Sequence, residues 1–248
     1  MCKSSHADVS HAARAARHRR EELTMSDEDL KRKAAHAALD LLPDSGVLGL
    51  GTGSTTRWFI EAVGDLVRGG RRFVAVPTSR ASRALAAKVG IPLLDDAGPW
   101  QIELCVDGAD EVSATLDLVK GGGGAHAREK IVNYAARRNV IIVDDSKLSK
   151  LLGEKRKVPV EVLPFGAKTT EAALARLGTP QLREQDGVPF QTDSGNLIYD
   201  LGVEPLADPQ RLDRLLHALP GVVETGLFLG RADEVIVASD SGVRRLTR

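Results

Sequence analysis

The sequence has little cysteine, no net charge and no long apolar run, and each absence removes a class of protein. Only two of the 248 residues are cysteines, Cys2 and Cys105, which is too few for a disulfide framework, so we expect a reducing, cytoplasmic setting. The 34 basic and 34 acidic side chains cancel, which argues against nucleic acid as an electrostatic partner. No stretch approaches the ~18 consecutive apolar residues of a membrane helix, so we expect no membrane span.

The first 24 residues differ in composition from the rest of the chain. They are rich in Ala, Arg and His and lack an apolar segment of the length found in secretory signals. Met25 is followed by Ser26 and a run of acidic residues, which suit the cap and first turn of a helix. This helix is expected to run to about Leu42, where Pro43 stops it. We therefore predict a disordered tail over residues 1–24; an organelle-targeting segment is the alternative, weakened by the three acidic residues in this stretch.

Apolar runs of strand length alternate with helical patterns between residues 25 and 155. This alternation predicts an α/β fold, a Rossmann-like and mostly parallel sheet with helices on both faces. Residues 156–228 follow the order β-α-β-β-α-β, with two short strands flanking the turn-forming stretch 192–196, which predicts an inserted smaller ferredoxin-like α+β domain. Residues 229–248 are expected to return to the first sheet, so that 25–155 and 229–248 form one catalytic domain.

Four polar motifs each follow an apolar run that we interpret as a buried strand. They are GLGTGSTT at 49–56, DGADE at 107–111, KGGGGAHAREK at 120–130 and DDSK at 144–147. Open α/β sheets bind ligands outside the carboxyl ends of their strands. We therefore expect the four motifs to meet at one site.

The stretch 120–130 places an acid and a cation on either side of a glycine run. Runs of glycine are tolerated where the backbone must pass close to a ligand or to another segment of the chain. Glu129 follows Lys120 by nine residues, about two and a half turns into a helix that begins after the glycines. The pair fits proton transfer next to a carbonyl group, whereas a flexible glycine loop before a solvated helix is the alternative.

The first motif carries Thr52, Gly53, Ser54 and Thr55 where a helix is predicted to begin. Backbone amides and hydroxyls at a helix N-terminus suit one phosphate group, and simple helix capping is the alternative. The motif is a poor dinucleotide fingerprint, because Ser54 takes the place of the third glycine and no acidic residue ends the next strand. No lysine follows the glycines, which excludes a P-loop.

The second motif brings three carboxylates, Asp107, Asp110 and Glu111, to one predicted turn. Paired carboxylates can bind a metal or manage protons, and they can also simply cap the next segment. No histidine lies nearby, so a metal site has little support.

In this order the four motifs resemble the ribose-5-phosphate isomerase A family, from about Ser26 to the C-terminus. The resemblance implies an enzyme of the non-oxidative pentose phosphate pathway that interconverts ribose 5-phosphate and ribulose 5-phosphate through an enediolate, without metal or cofactor. It implies that Glu129 is the general base, that Lys120 and the backbone of 121–123 are oxyanion donors, and that Asp107 and Asp110 face the sugar hydroxyls and help to open the ring.

The resemblance also implies the remaining contacts and the assembly. The 52–55 loop and Lys31 are expected near the phosphate, Lys147 is expected to bind substrate, and a homodimer or homotetramer is expected. The complete predicted substrate-binding set is Thr52, Gly53, Ser54, Thr55, Asp107, Gly108, Ala109, Asp110, Lys120, Gly121, Gly122, Gly123, Lys147 and Lys31. His126 departs from the apolar or hydroxylated residue expected at its position. We predict that it points outward, and tuning of the neighbouring Glu129 is the alternative.

Two other kinds of protein fit parts of this pattern. A sugar-phosphate-binding regulator on a similar fold would need a DNA-binding module, and the tail is too short for a helix-turn-helix domain. A coenzyme A transferase-like or amino-sugar deaminase-like enzyme could also use a carboxylate. The spacing of Lys120, the glycines and Glu129, together with DGADE, favours the isomerase.

Overall fold

The computed structural model describes residues 25–248, and the tail predicted over residues 1–24 lies outside them. The elements, in chain order, are α1 (Asp27–Ala38), β1 (Ser45–Leu50), α2 (Ser54–Arg68), β2 (Arg72–Pro77), α3 (Arg80–Lys88), β3 (Leu104–Asp107), β4 (Glu111–Val112), β5 (Leu118–Val119), α4 (His126–Ala135), β6 (Asn139–Asp144), β7 (Val158–Val162), α5 (Ala167–Leu174), β8 (Thr179–Leu182), β9 (Glu184–Gln185), β10 (Val188–Pro189), β11 (Leu197–Gly202), α6 (Pro209–His217), β12 (Val222–Thr225), β13 (Leu227–Phe228), β14 (Glu234–Ser239) and β15 (Gly242–Thr247).

The main sheet has six strands in the order β15-β14-β6-β3-β1-β2. All neighbours run parallel except β15, which returns antiparallel to β14. The last two strands therefore rejoin the first sheet, as predicted. None of the described helices is long and apolar enough to cross a membrane.

Alternation along the central strands divides the core between the two faces of this sheet. In β6, Val140 and Ile142 pack with α1, α2 and α3 on one face. Ile141 and Val143 point to the opposite face and join a second cluster, because successive side chains of a strand leave on opposite sides. Helix α4 also lies on this second face, where Val132 meets Cys105. The predicted arrangement of helices on both faces is confirmed.

The first helix begins where its capping signal predicts. The Ser26 side chain accepts a hydrogen bond from the Asp29 amide at 3.2 Å, which satisfies one of the free amides of the first turn. The helix was expected to run to Leu42, but α1 ends at Ala38 and a 3₁₀ turn follows over Leu39–Leu41. A tightened last turn is a common way to end a helix.

A three-stranded antiparallel sheet of order β13-β5-β4 covers part of the second face. The strand before Lys120 was expected to belong with the other motif-bearing strands. It does not, since β5 pairs only with β4 and β13. Lys120 therefore enters the site from a separate layer, and its own amide donates to the Gly226 carbonyl at 2.9 Å.

Residues between β6 and β14 form the smaller sheet, which has four antiparallel strands in the order β12-β7-β11-β8. Along the chain, α5 follows β7 and α6 follows β11. The β-α-β-β-α-β order is confirmed. The two strands expected to flank 192–196 as a hairpin do not pair with each other. Instead, β11 pairs with β8, and the short β9–β10 hairpin is inserted between them.

A matched pair of valine substitutions tests where the core lies. Val237 in β14 is fully buried, whereas Val188 in β10 is 64% exposed. We expect Val237→Ala to lower the free energy of unfolding by about 2 kcal/mol, since two buried methyl groups are lost and a cavity remains. Val188→Ala should change it by less than about 0.5 kcal/mol. Urea unfolding measures both, and equal effects would contradict this assignment of the core.

Candidate active site

The carboxyl ends of four neighbouring strands of the main sheet gather the motifs at one edge. Thr52 follows β1, Asp107 ends β3, and Lys147 lies in the 3₁₀ turn Asp145–Lys147 after β6. Thr78 follows β2 at the same edge. This is where a parallel sheet leaves a crevice for a ligand.

A buried trio of Lys120, Asp107 and Glu129 forms the centre of the site. The Lys120 Nζ lies 3.0 Å from Asp107 Oδ2 and 3.4 Å from Glu129 Oε1, and it donates to the Gly108 carbonyl at 2.6 Å. All three residues are at most 4% exposed. Glu129 Oε2 has no hydrogen-bond partner among residues 25–248, so one carboxylate oxygen of the trio is uncommitted.

Asp107 is fixed by backbone groups on both sides. Its Oδ1 accepts hydrogen bonds from the amides of Thr52 at 3.1 Å and Gly108 at 2.7 Å. A Cβ atom on Gly51 would lie 2.1 Å from Asp107 Oδ1 and 2.6 Å from its Cα. Only glycine therefore fits at position 51, where the chain leaving β1 passes the end of β3.

The electrostatics of the trio follow from one buried cation facing two carboxylates. Burial raises the pKa of Glu129 to about 8; the charge of Asp107 acts in the same direction, and Lys120 opposes them. Burial likewise raises the pKa of Asp107. Burial alone would lower the pKa of Lys120, but the surrounding carboxylates hold it above its ordinary value. Lys120 thus stays charged, and Glu129 exchanges its proton near neutral pH.

An open cleft lies over the trio and contains most of the predicted substrate-binding residues. Its lining consists of Lys31, Thr52, Gly53, Ser54, Thr55, Thr56, Gly108, Ala109, Asp110, Lys120, Gly121, Gly123, Glu129 and Lys147. Two predicted residues do not line it. Asp107 lies beneath Lys120, and Gly122 turns away and donates its amide to Asp110 Oδ2 at 2.7 Å.

One end of the cleft is the N-terminus of α2. Gly53 takes φ +132° at the N-cap, and Ser54 and Thr55 begin the helix, so their amides have no partner within it. Lys31 reaches this end from α1 and pairs with Glu28 at 3.0 Å. Lys147 lines the cleft from the β6 side.

Three hydroxyl residues support this end and were not assigned from the sequence. Thr52 Oγ1 lies 2.7 Å from Thr78 Oγ1, 2.7 Å from Ser79 Oγ and 3.2 Å from Ser82 Oγ. Ser82 also donates to the Gly51 carbonyl at 2.6 Å. The position of Thr78 and Ser79 after β2 was the available signal, because that strand ends at the same edge.

Arg183 was also missed, and it fixes the glycine run. Its Nη1 donates to the Gly121 carbonyl at 2.7 Å and the Gly122 carbonyl at 3.3 Å, while its other nitrogens pair with Asp200. It lies directly after β8 of the smaller sheet, 62 residues from Gly121. No local pattern could have indicated this contact.

His126 and Glu111 both lie buried outside the cleft. His126 was expected to point outward, but it is fully buried behind the glycine turn, because α4 packs against the smaller sheet. Glu111 is buried away from the cleft, where its carboxylate accepts from the amides of Gly153 at 2.9 Å and Lys155 at 3.0 Å. Within residues 25–248, no group of three or more His, Cys, Asp or Glu side chains could hold a metal ion.

The chain is an α/β protein in which a buried lysine and glutamate, Lys120 and Glu129, lie beside a helix N-terminus that carries hydroxyl groups. The family model of Ribose 5-phosphate isomerase A (phosphoriboisomerase A) matches residues 74–242. The chain belongs to the ribose-5-phosphate isomerase A family.

Similar proteins cover nearly the same length. The chain is 47% identical to "Ribose-5-phosphate isomerase A" of Thermomicrobium roseum over 90% of this chain and 96% of that protein. It is 47% identical to the protein of the same name from Rhodopseudomonas palustris strain HaA2, over 90% of this chain and 100% of that one. The structure of ribose 5-phosphate isomerase A from Methanocaldococcus jannaschii superposes with a TM-score of 0.85 at 40% identity, covering 90% and 100% of the two chains.

The raised pKa of Glu129 predicts a pH-dependent stability. The native state keeps this proton up to about pH 8, whereas the ordinary value is 4.5. The group therefore stabilises the native state fully below about pH 4.5, and this contribution is lost as the pH rises to about 8. We expect the free energy of unfolding of Glu129→Gln, minus that of the wild type, to increase between about pH 5 and pH 8, by at most about 1.4 kcal/mol per pH unit. Urea unfolding at both pH values measures this, and a constant difference would show an ordinary carboxyl group.

Proposed function

We propose that this chain interconverts D-ribose 5-phosphate and D-ribulose 5-phosphate through an enediolate. The observation that carries the proposal is the arrangement of the Glu129 carboxylate on the cleft wall. Its Oε2 has no hydrogen-bond partner among the described residues, and its Oε1 lies 3.4 Å from the charged Lys120 Nζ. Moving a carbonyl between adjacent carbons requires one group that takes and returns a proton and one that stabilises the oxyanion. The trio supplies both.

Glu129 acts as the general base. Its carboxylate takes the proton from C2 of the open-chain aldose, and the C–H electron pair forms the C1–C2 double bond while O1 becomes negative. The same group returns the proton to C1 to give the ketose. A carboxyl pKa near the working pH suits both directions of the transfer, and burial supplies that pKa.

Lys120 stabilises the oxyanion and Asp107 positions Lys120. The ammonium group is already held in place by the Gly108 carbonyl and by Asp107, so little reorganisation is needed as charge develops. The backbone of Gly121 and Gly123 lines the same wall. A second proton moves from O2 to the adjacent O1 as the enediolate becomes the ketose.

The remaining predicted residues bind the substrate. The first turn of α2, with Lys31 and Lys147 beside it, suits a phosphate group through free amides, hydroxyls and two cations. Asp110 also lines the cleft, where its carboxylate accepts hydrogen bonds from sugar hydroxyls. A family member at 38% identity and TM-score 0.87, covering 90% of this chain, is described in complex with phospho-erythronic acid, which supports a phosphosugar as the ligand.

The compartment, assembly and domain division proposed here rest on separate features. Cys105 is a buried free thiol in the described part of the chain, which fits a reducing cytoplasm. Large apolar side chains such as Tyr134 and Phe165 are 77% and 93% exposed, which supports a homodimer or homotetramer. The topology supports a catalytic domain of 25–155 and 229–248 with a smaller domain at 156–228.

Turnover of ribose 5-phosphate by the purified protein tests the function, and Glu129→Gln tests the base. The variant keeps size and removes basicity, so kcat should fall by at least ~10²–10⁴. Circular dichroism serves as the control for folding. A folded Glu129→Gln protein with nearly wild-type kcat would refute the assignment.

The phosphate end is tested by the double variant Ser54→Val and Thr55→Val. Loss of both hydroxyls should raise KM for ribose 5-phosphate several-fold, while kcat changes less because the base is untouched. Thr169→Val and Thr179→Val, at hydroxyls outside the cleft, form the matched control. Unchanged KM in the first pair would mean that this loop has a structural role only.

Solvent hydrogen exchange distinguishes the enediolate route from a direct hydride shift. A carboxylate base holds the proton briefly and exchanges it with water. In D₂O, deuterium should therefore appear on C1 of ribulose 5-phosphate, or on C2 of ribose 5-phosphate in the reverse direction. NMR of the product measures it, and product with no solvent deuterium would argue against Glu129 as the carrier.

A further inference from the structure

The ring of His126 is buried between the glycine turn 121–124 and the smaller sheet. It is 0% exposed, and neither ring nitrogen has a hydrogen-bond partner among the described residues. An unpaired buried polar group costs about 1–3 kcal/mol. An apolar side chain would be more stable here, so the imidazole calls for a physical explanation.

A buried carboxylate faces this ring from the smaller sheet. Glu161 of β7 is 1% exposed, and its Oε2 lies 3.8 Å from His126 Nε2. Its other oxygen accepts hydrogen bonds from Thr192 Oγ1 and Asn196 Nδ2, both at 2.9 Å. The 192–196 turn therefore holds the Glu161 carboxylate in place with its free oxygen toward the imidazole.

The other side of the ring abuts the glycine turn. A Cβ atom on Gly121 would lie 2.8 Å from His126 Nδ1 and 3.1 Å from its Cβ. Gly121 has φ +107°, and its carbonyl accepts from the Gly124 amide at 2.9 Å to close the turn. His126 is also the first residue of α4, so it lies about one turn before Glu129 on the same helix.

The 192–196 turn makes two further contacts with this side of the site. Asp193 accepts from the Arg80 amide at 2.6 Å, at the start of α3. Arg128 of α4 donates weakly to the Asp193 carbonyl at 3.5 Å. The 192–196 turn thus contacts both α4, which carries Glu129, and α3, which lies next to the hydroxyl cluster around Thr52.

We propose that His126 and Glu161 form a positioning pair: the carboxylate orients the imidazole, and the imidazole fixes the Gly121 turn and the first turn of α4, and so the distance between Glu129 and Lys120. This inference rests on the proposed function of the site. The pair touches no substrate. Burial, together with the charges of Lys130 and Arg183, lowers the pKa of His126 to about 3, so the ring is neutral and is not a second base.

The test compares His126→Leu with His126→Gln. Leucine removes the polar atoms, whereas the glutamine amide can again point toward Glu161. We expect His126→Leu to lower kcat about 10- to 100-fold, since misplacement of a reacting group is costly, with KM and the Kd for phospho-erythronic acid within about threefold. His126→Gln should recover most of the loss. Leu174→Ala, a buried change in α5, is the control for lost stability and should lower Tm without lowering kcat.

A double-mutant cycle tests whether the two residues act together. Glu161→Gln alone should lower kcat, and the same change in the His126→Leu background should add nothing, because the interaction is already lost. Additive effects, or wild-type kcat in His126→Leu, would overturn the proposal. An equal kcat loss in Leu174→Ala, or failure of His126→Gln to recover activity, would also overturn it.

Hydrogen exchange separates failure of this inference from failure of the proposed function. The Gly124 amide should exchange at least about tenfold faster in His126→Leu than in the wild type and should regain protection in His126→Gln. This measurement needs no substrate. Wild-type turnover reports on the function, and unchanged exchange at Gly124 would overturn the positioning pair even in an active enzyme.

Discussion

The site depends on one buried cation shared by two carboxylates. Lys120 lies 3.0 Å from Asp107 and 3.4 Å from Glu129, where removal from water is costly for every charge. One positive charge cannot satisfy both carboxylates, and burial raises the pKa of both. Glu129 Oε2 has no hydrogen-bond partner among the described residues. Asp107 has two amide donors and anchors the lysine instead. The division of labour between the two acids follows from their unequal hydrogen bonding.

Each member of the trio comes from a different layer of the protein. Asp107 ends a strand of the main sheet, Lys120 follows the small β13-β5-β4 sheet, and Glu129 lies on α4. Their separation is set by the packing between these layers. Arg183, directly after β8, and Glu161 of β7 both come from the smaller sheet. Arg183 bonds the carbonyls of the glycine run, and Glu161 faces His126 behind it. A glycine run has little stiffness of its own, so its shape must be fixed from outside.

Much of the architecture could be predicted because it is encoded locally. Continuous apolar runs in β6 and β14 indicate strands buried on both faces, and Ser26 indicates the start of the first helix. The β5 segment was placed wrongly because two paired residues carry no signal for the sheet they join. His126 was placed wrongly because a single polar residue in a helical turn gives no information about what packs over it.

The order of the elements and the edge of the sheet at which the motifs gather follow from local sequence signals, since strand ends and helix starts are local properties. Packing between the layers places Asp107 under Lys120 rather than in the cleft, brings Thr78, Ser79 and Ser82 to Thr52, and buries Glu129. These properties depend on distances between segments far apart in the chain. They arise only when the layers pack and exclude water, and packing also gives a carboxyl group a pKa near neutrality.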